Sequence, residues 1–128
     1  MPDVPTTATR DISPSDRVLD YRSRFRTFLD SEVAPLESEL DAAGAGTPWN
    51  PRLDDKGRMH PLVWEARREV QRRSAKAGLY NPHIQADLGG GGFGRVEMHH
   101  VEEYVYRESG LGLGLAALAW TEGANPAI

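Results

Sequence analysis

The chain contains no cysteine, which excludes disulfides, thiolate zinc sites and thiol nucleophiles. It also lacks a surplus of positive charge. Fifteen Lys and Arg against nineteen Asp and Glu leave a formal net charge of −4, so nothing attracts it generally to nucleic acid or an anionic membrane. No apolar run approaches the roughly 20 residues that a membrane span requires. The opening "MPDVPTTATRDISPSDR" has no apolar h-region, and Asp3, Asp11 and Asp16 do not suit a transit peptide. No segment alternates apolar and polar residues with a period of two. These absences predict a soluble, cytoplasmic, all-α protein with no nucleic-acid partner and no membrane span.

What is present fits one domain, since 128 residues allow burial of roughly two thirds of the unfolded surface. Residues 1–12 are rich in Pro, Thr and Asp and read as a flexible tail, leaving 13–128 as the folded unit. "SPSD" offers Ser13 as an N-cap, Pro14 at the first helical position and Asp16 as a capping acid. From Val18, the residues Tyr21, Phe25, Phe28, Leu29, Val33, Leu36 and Leu40 recur every three or four positions, one stripe of an amphipathic helix. Pro35 removes a backbone donor within it and predicts a kink near Ala34, and Gly44 supplies the stop.

"AGAGTPWNPRLDDKGR" carries no period and reads as a surface connection. Pro61 then opens a second helix, with Leu62, Val63, Ala66, Val70 and Ala77 inward and Gly78 at its end. On its wet face Glu65 is spaced to pair with Arg68, and Glu69 with Arg72 and Arg73. The basic cluster Arg67, Arg68, Arg72, Arg73 and Lys76 is interleaved with acids and reads as a solvated face. A third helix is predicted over 95–108 with Val96, His100, Val101, Tyr104 and Val105 inward. Residues 111–120 are apolar on every side apart from their glycines. They predict a fourth, buried helix that Gly112 and Gly114 let its neighbours approach. The expected fold is a small bundle of about four helices.

Two chemical candidates fall away on spacing. Gly89, Gly91 and Gly94 spell G-x-G-x-x-G, but the dinucleotide motif needs a preceding strand and an acid about 20 residues on. "YNPHIQADL" is a poor strand and position 114 is Gly. For a phosphate loop, Arg95 and Val96 stand where Lys and Ser or Thr belong. His99 and Glu103 are four apart and share a helical face, yet two ligands do not make a metal site.

The order of features is itself informative: a Pro-interrupted first helix, "RREVQRRSAKAGLYNP", "ADLGGGGFGRVEMHHVEEYVYRESG", then a small-residue apolar segment ending "GANPAI". It resembles the N-terminal helical domain of the acyl-CoA dehydrogenase family over about residues 15–128. The matching positions are Ala75 to Leu79, Pro82, the glycine run and Glu102-Glu103. Leu79-Tyr80-Asn81-Pro82 and the long insertion before the second helix look most like the subgroup acting on longer or branched chains. The extra glycines and His99-His100, where small or aliphatic residues are usual, depart from the pattern.

The resemblance implies a part of a flavoprotein that oxidises acyl-CoA to 2-enoyl-CoA. FAD and a glutamate base would belong to a middle β-barrel and a C-terminal bundle, so the chain alone is expected to bind no flavin and to be inactive. Its own contribution would be part of the wall around the acyl chain, with Gly114, Leu115, Leu118 and Glu122 facing substrate. Leu115 and Leu118 suit a core position equally well. The glycine run is then a hinge and not a phosphate cradle. The other reading is a stand-alone helical interaction or oligomerisation module without catalysis. Either way, residues 111–120 look too apolar to be covered by three helices, which predicts self-association through an exposed apolar face.

Overall fold

The structure, a computed structural model, describes residues 12–45, 52–109 and 113–118; most of the expected tail, residues 1–11, lies outside them. Among the described residues the fold is all-helical apart from turns and one isolated antiparallel bridge, Leu53 with Met59. No helix among them is long and apolar enough to cross a membrane.

The first helical rod joins α1, Asp16–Phe28, a π-helical turn, Leu29–Val33, and α2, Ala34–Ala42. Its cap is Ser15 and not the expected Ser13. The Ser15 hydroxyl accepts from the Val18 amide at 3.3 Å, and Arg17 beside it pairs with Glu97 of the last helix at 2.8 Å. Both serines suit an N-cap, and the tertiary tie favours the later one. The predicted stripe is buried from Val18 through Leu40, with Leu36 half-buried.

Pro35 has its effect upstream of the predicted site. A proline in an α-helix would lack its own hydrogen bond and press its ring on the carbonyl of Ser31. Here the ladder widens over residues 29–33 instead, and the Ala34 amide bonds to the Leu29 carbonyl five residues back. The chain thereby passes Pro35 as an early residue of α2, where a missing amide is tolerated. Before and within the widening, the Thr27 and Ser31 hydroxyls bond back to the carbonyls of Ser23 and Thr27, a habit that loosens helices. Gly44, at φ +63°, ends the rod as expected.

A small turn built on Asp54, whose carboxylate accepts from the amides of Lys56 and Arg58, leads to α3, Pro61–Lys76. The helix is capped by the His60 ring, Nδ1 accepting from the Leu62 amide at 3.1 Å. Its buried face is Val63, Ala66, Val70 and Ser74. Leu62, 40 % exposed, and Ala77 lie outside it, contrary to expectation. Ser74 takes the inward place because its hydroxyl donates to the buried Ala117 carbonyl. Glu69 pairs with Arg72 and Arg73 as the spacing suggests, but Glu65 and Arg68 form no ion pair.

The last α-helix, α4, Arg95–Ser109, buries Met98, Val101 and Val105. Val96 is exposed, and His100 and Tyr104 are only half-buried, so the inward face is rotated from the predicted one. α4 packs on α1. Arg26 knits the two by bonding Glu108 on α4 at 3.0 Å and Asp30 on its own rod. The hydrogen bond from Arg26 holds the Asp30 carboxyl below the usual carboxylate range.

The fourth helix does not form as expected. Residues 113–118 are a short 3-10 segment, Leu113–Ala117, followed by a turn; the rest of 111–120 lies outside the described residues. Its amino-terminal neighbours include α4 and the π turn, and α3 is its main support. The bundle is three helical rods closed by this segment.

At the centre Tyr21 is 1 % exposed and donates from its hydroxyl to the Leu79 carbonyl at 2.7 Å. Burial pushes its phenol well above the ordinary value of 10.0. The unfolded chain therefore releases this proton first, so stability should fall as pH rises through about 10. Tyr21→Phe should cost about 1 kcal/mol at neutral pH and reduce that alkaline slope. Urea unfolding between pH 7 and 11 measures both; an unchanged slope in the variant would refute the assignment.

Candidate functional site

The segment that sequence reasoning singled out is held by three hydrogen bonds along its length. The Leu113 amide donates to the Glu37 carboxylate on α2 at 2.8 Å. The Ala117 carbonyl accepts from Ser74, and the Leu118 carbonyl accepts from the Asn81 amide at 2.9 Å. Between them Gly114 is buried so tightly that a β-carbon there would meet Ser109 Oγ and sit 2.7 Å from the Leu29 side chain. Small residues are therefore required by the closeness of α4 and the π turn.

Of the four candidate substrate residues, Gly114 and Leu118 are brought into the core and Leu115 is half-buried against it. Glu122 lies outside the described residues. The expectation that three helices cannot cover this stretch fails for its described part, because Leu113, Gly114, Ala116, Ala117 and Leu118 are all buried. The small side chains allow one short segment to sink between the rods.

Glu37, Ser74 and Asn81 were not anticipated as its anchors. Asn81 carried the clearest signal. It is the one non-glycine residue with positive φ, +56°, among those described, and Asn tolerates that conformation better than most residues.

The glycine run starts from the same turn. The chain folds back on itself, with the amides of Gly89, Gly90, Gly92 and Phe93 bonding to the carbonyls of Ala86, Gln85, Ile84 and Pro82. The Gly94 amide goes to Glu97 Oε1 at 3.2 Å. These donors, which a phosphate would need, are spent within the loop, and a carboxylate occupies the start of α4.

Glycine is needed here for two separate reasons. Gly89 and Gly92 have φ of +90° and +68°. Gly90 and Gly91 do not have positive φ, but backbone crosses them closely. A β-carbon on Gly90 would fall on Ile84, and one on Gly91 would lie 2.9 Å from the Pro82 carbonyl oxygen. Arg17 fastens the loop, donating to the Gly91 carbonyl at 3.2 Å and lying 4.4 Å above the Phe93 ring. Phe93 in turn meets Tyr21 edge-on at 5.7 Å.

His99 is exposed, and His100 Nε2 lies 2.6 Å from the Ile12 carbonyl. Among the described residues no group of three His, Asp or Glu could hold a metal ion. Comparison with family models, curated proteins and solved structures finds no match.

Gly90→Ala should destabilise the chain by about 1–3 kcal/mol through overpacking, and Gly91→Ala by a similar amount. Gly57→Ala, where φ is +74° but no neighbour lies within 4 Å, should cost about 1 kcal/mol. Chemical denaturation ranks the three. Losses at Gly90 and Gly91 no larger than at Gly57 would show that the close backbone crossings do not require glycine.

Proposed function

We propose that this chain is the N-terminal helical part of a flavin-dependent acyl-CoA dehydrogenase, where it forms part of the wall around the acyl chain. The observation that supports this reading is the anchored segment 113–118. Glu37, Ser74 and Asn81 fix its backbone, so a chain continuing past Leu118 leaves from a defined point. Leu115 is the only residue of the segment left half-exposed. The described part of such a wall has apolar, uncharged side chains on an anchored backbone, which suits an alkyl chain.

The flavin of such an enzyme accepts hydride from the substrate. The residues described here do not fit as its holders. The glycine-loop amides that a pyrophosphate would need are spent on the loop's own carbonyls, and Glu97 stands at the adjacent helix start. The role left to this chain is to bind and exclude water. Of the proposed substrate-facing set Gly114, Leu115, Leu118 and Glu122, Leu115 is the accessible one among those described, while Gly114 and Leu118 are buried in the core and would support it. Acyl-CoA is the proposed partner, and the proposed setting is cytoplasmic.

Expression extended through the reading frame beyond Ile128 tests the proposal. The product should be yellow, and an acyl-CoA should bleach its flavin band. Leu115→Trp should then lower kcat/KM for long-chain substrates at least about tenfold relative to short ones, a difference of roughly 1.4 kcal/mol. The 128-residue chain alone should be colourless and inactive. A colourless extended protein, or a yellow one that no acyl-CoA bleaches, would overturn the reading.

A further inference from the structure

The outer face of α3 is not absorbed by the segment 113–118 or by the core. Along it Glu65, Glu69, Arg72 and Lys76 are spaced four, three and four apart, so they form one stripe. Acids occupy its first half and bases its second. A groove runs beside the stripe between α3 and the first rod. Its first half, about 560 Å³, has an apolar floor that includes Leu36, Leu40 and Ala66. Three carboxylates there, Glu39, Glu65 and Glu69, outnumber two guanidiniums, Arg68 and Arg72. Its second half, about 480 Å³, is floored by Phe28 and Ala77, and Arg72, Arg73 and Lys76 outnumber Glu32 and Glu69.

The surface is thus negative at one end and positive at the other. Such a surface complements itself when turned end for end, which is the condition for an isologous contact. Within the chain these charges are only partly used. Among the described residues Glu65, Arg68 and Lys76 form no ion pair, and Arg72, with its side chain 74 % exposed, pairs there only with its own helix neighbour Glu69.

We propose that α3 pairs antiparallel with α3 of a second copy of this chain, about a two-fold axis between residues 70 and 71. Glu65 then faces Lys76 of the second copy, and Glu69 faces its Arg72. The two-fold repeats both pairs, giving four in all. Glu69 keeps Arg73 within its own chain at 2.9 Å while Arg72 turns outward. The aliphatic stems of Arg72 and Lys76 from the second copy lie over the Leu36 and Leu40 floor, covering apolar surface with their charged ends in water. Leu62, 40 % exposed, extends towards the Phe28 and Ala77 end of the other copy. Each exposed ion pair contributes little alone, so the dimer is weak and loosens as salt screens the pairs. It uses a different face from residues 113–118 and is independent of the enzymatic reading.

Sedimentation velocity of the 128-residue chain at high micromolar concentration tests this. The wild type should be dimeric at low salt and monomeric at high salt. Glu65→Lys with Glu69→Lys, and separately Arg72→Glu with Lys76→Glu, should each give a folded monomer at low salt, checked by circular dichroism. Mixed one to one, the two variants should restore a dimer. If either double variant loses its helix signal, Glu65→Lys and Lys76→Glu replace them, since neither residue has an ion pair among the described residues, and the same pattern is expected. A wild type monomeric throughout, a dimer that survives charge reversal, or a mixture that stays monomeric would each overturn the proposal.

Discussion

The fold depends on the absence of a side chain at Gly114. Three amphipathic rods cannot close on one another around the core, because α3 rests mainly on residues 113–118 and not on α1 or α4. That segment must therefore sink until α4 and the π turn touch it, and a single β-carbon at Gly114 would hold Ser109 and Leu29 away. Once seated, it gives Ser74 and the Asn81 amide their acceptors. The turn after α3 also presents the Leu79 carbonyl to the Tyr21 hydroxyl. The buried polar ties from Ser74 and the Asn81 amide thus both end on the segment that this close approach seats.

The first rod was legible because its apolar residues had one consistent phase, and all of them from Val18 to Leu40 are buried or half-buried. Pro35 marked the irregularity but not its form, since a widened turn upstream satisfies the backbone without a break. α3 misled because periodicity treats Ser74 as polar, whereas its hydroxyl has a buried acceptor. In α4 two stripes compete, 96/100/104 against 98/101/105, and only docking on α1 chooses between them. The segment 113–118 was readable as buried, but its small residues suggested a longer helix. Its anchors Glu37 and Asn81 come from distant parts of the chain, and spacing carries no signal for such contacts.

The glycine run shows why a motif needs its surroundings. By spelling alone it fits a dinucleotide loop. Its amides, however, face its own carbonyls, and two of its glycines are present to let backbone cross backbone. Arg17, Phe93 and Glu97 tie the loop to the start of α1, so the loop belongs to the scaffold. The proposed substrate wall and the proposed dimer face lie on other parts of that scaffold, the first on the small-residue segment and the second on the outer stripe of α3.

The cap of α3 carries a chemical condition of its own. A ring nitrogen that accepts the Leu62 amide has its lone pair in the bond, so His60 holds its proton on Nε2 and caps the helix only as the neutral imidazole. The first turn of α3, which includes Leu62 and Val63, is therefore secured by a side chain whose tautomer is dictated by the helix it begins.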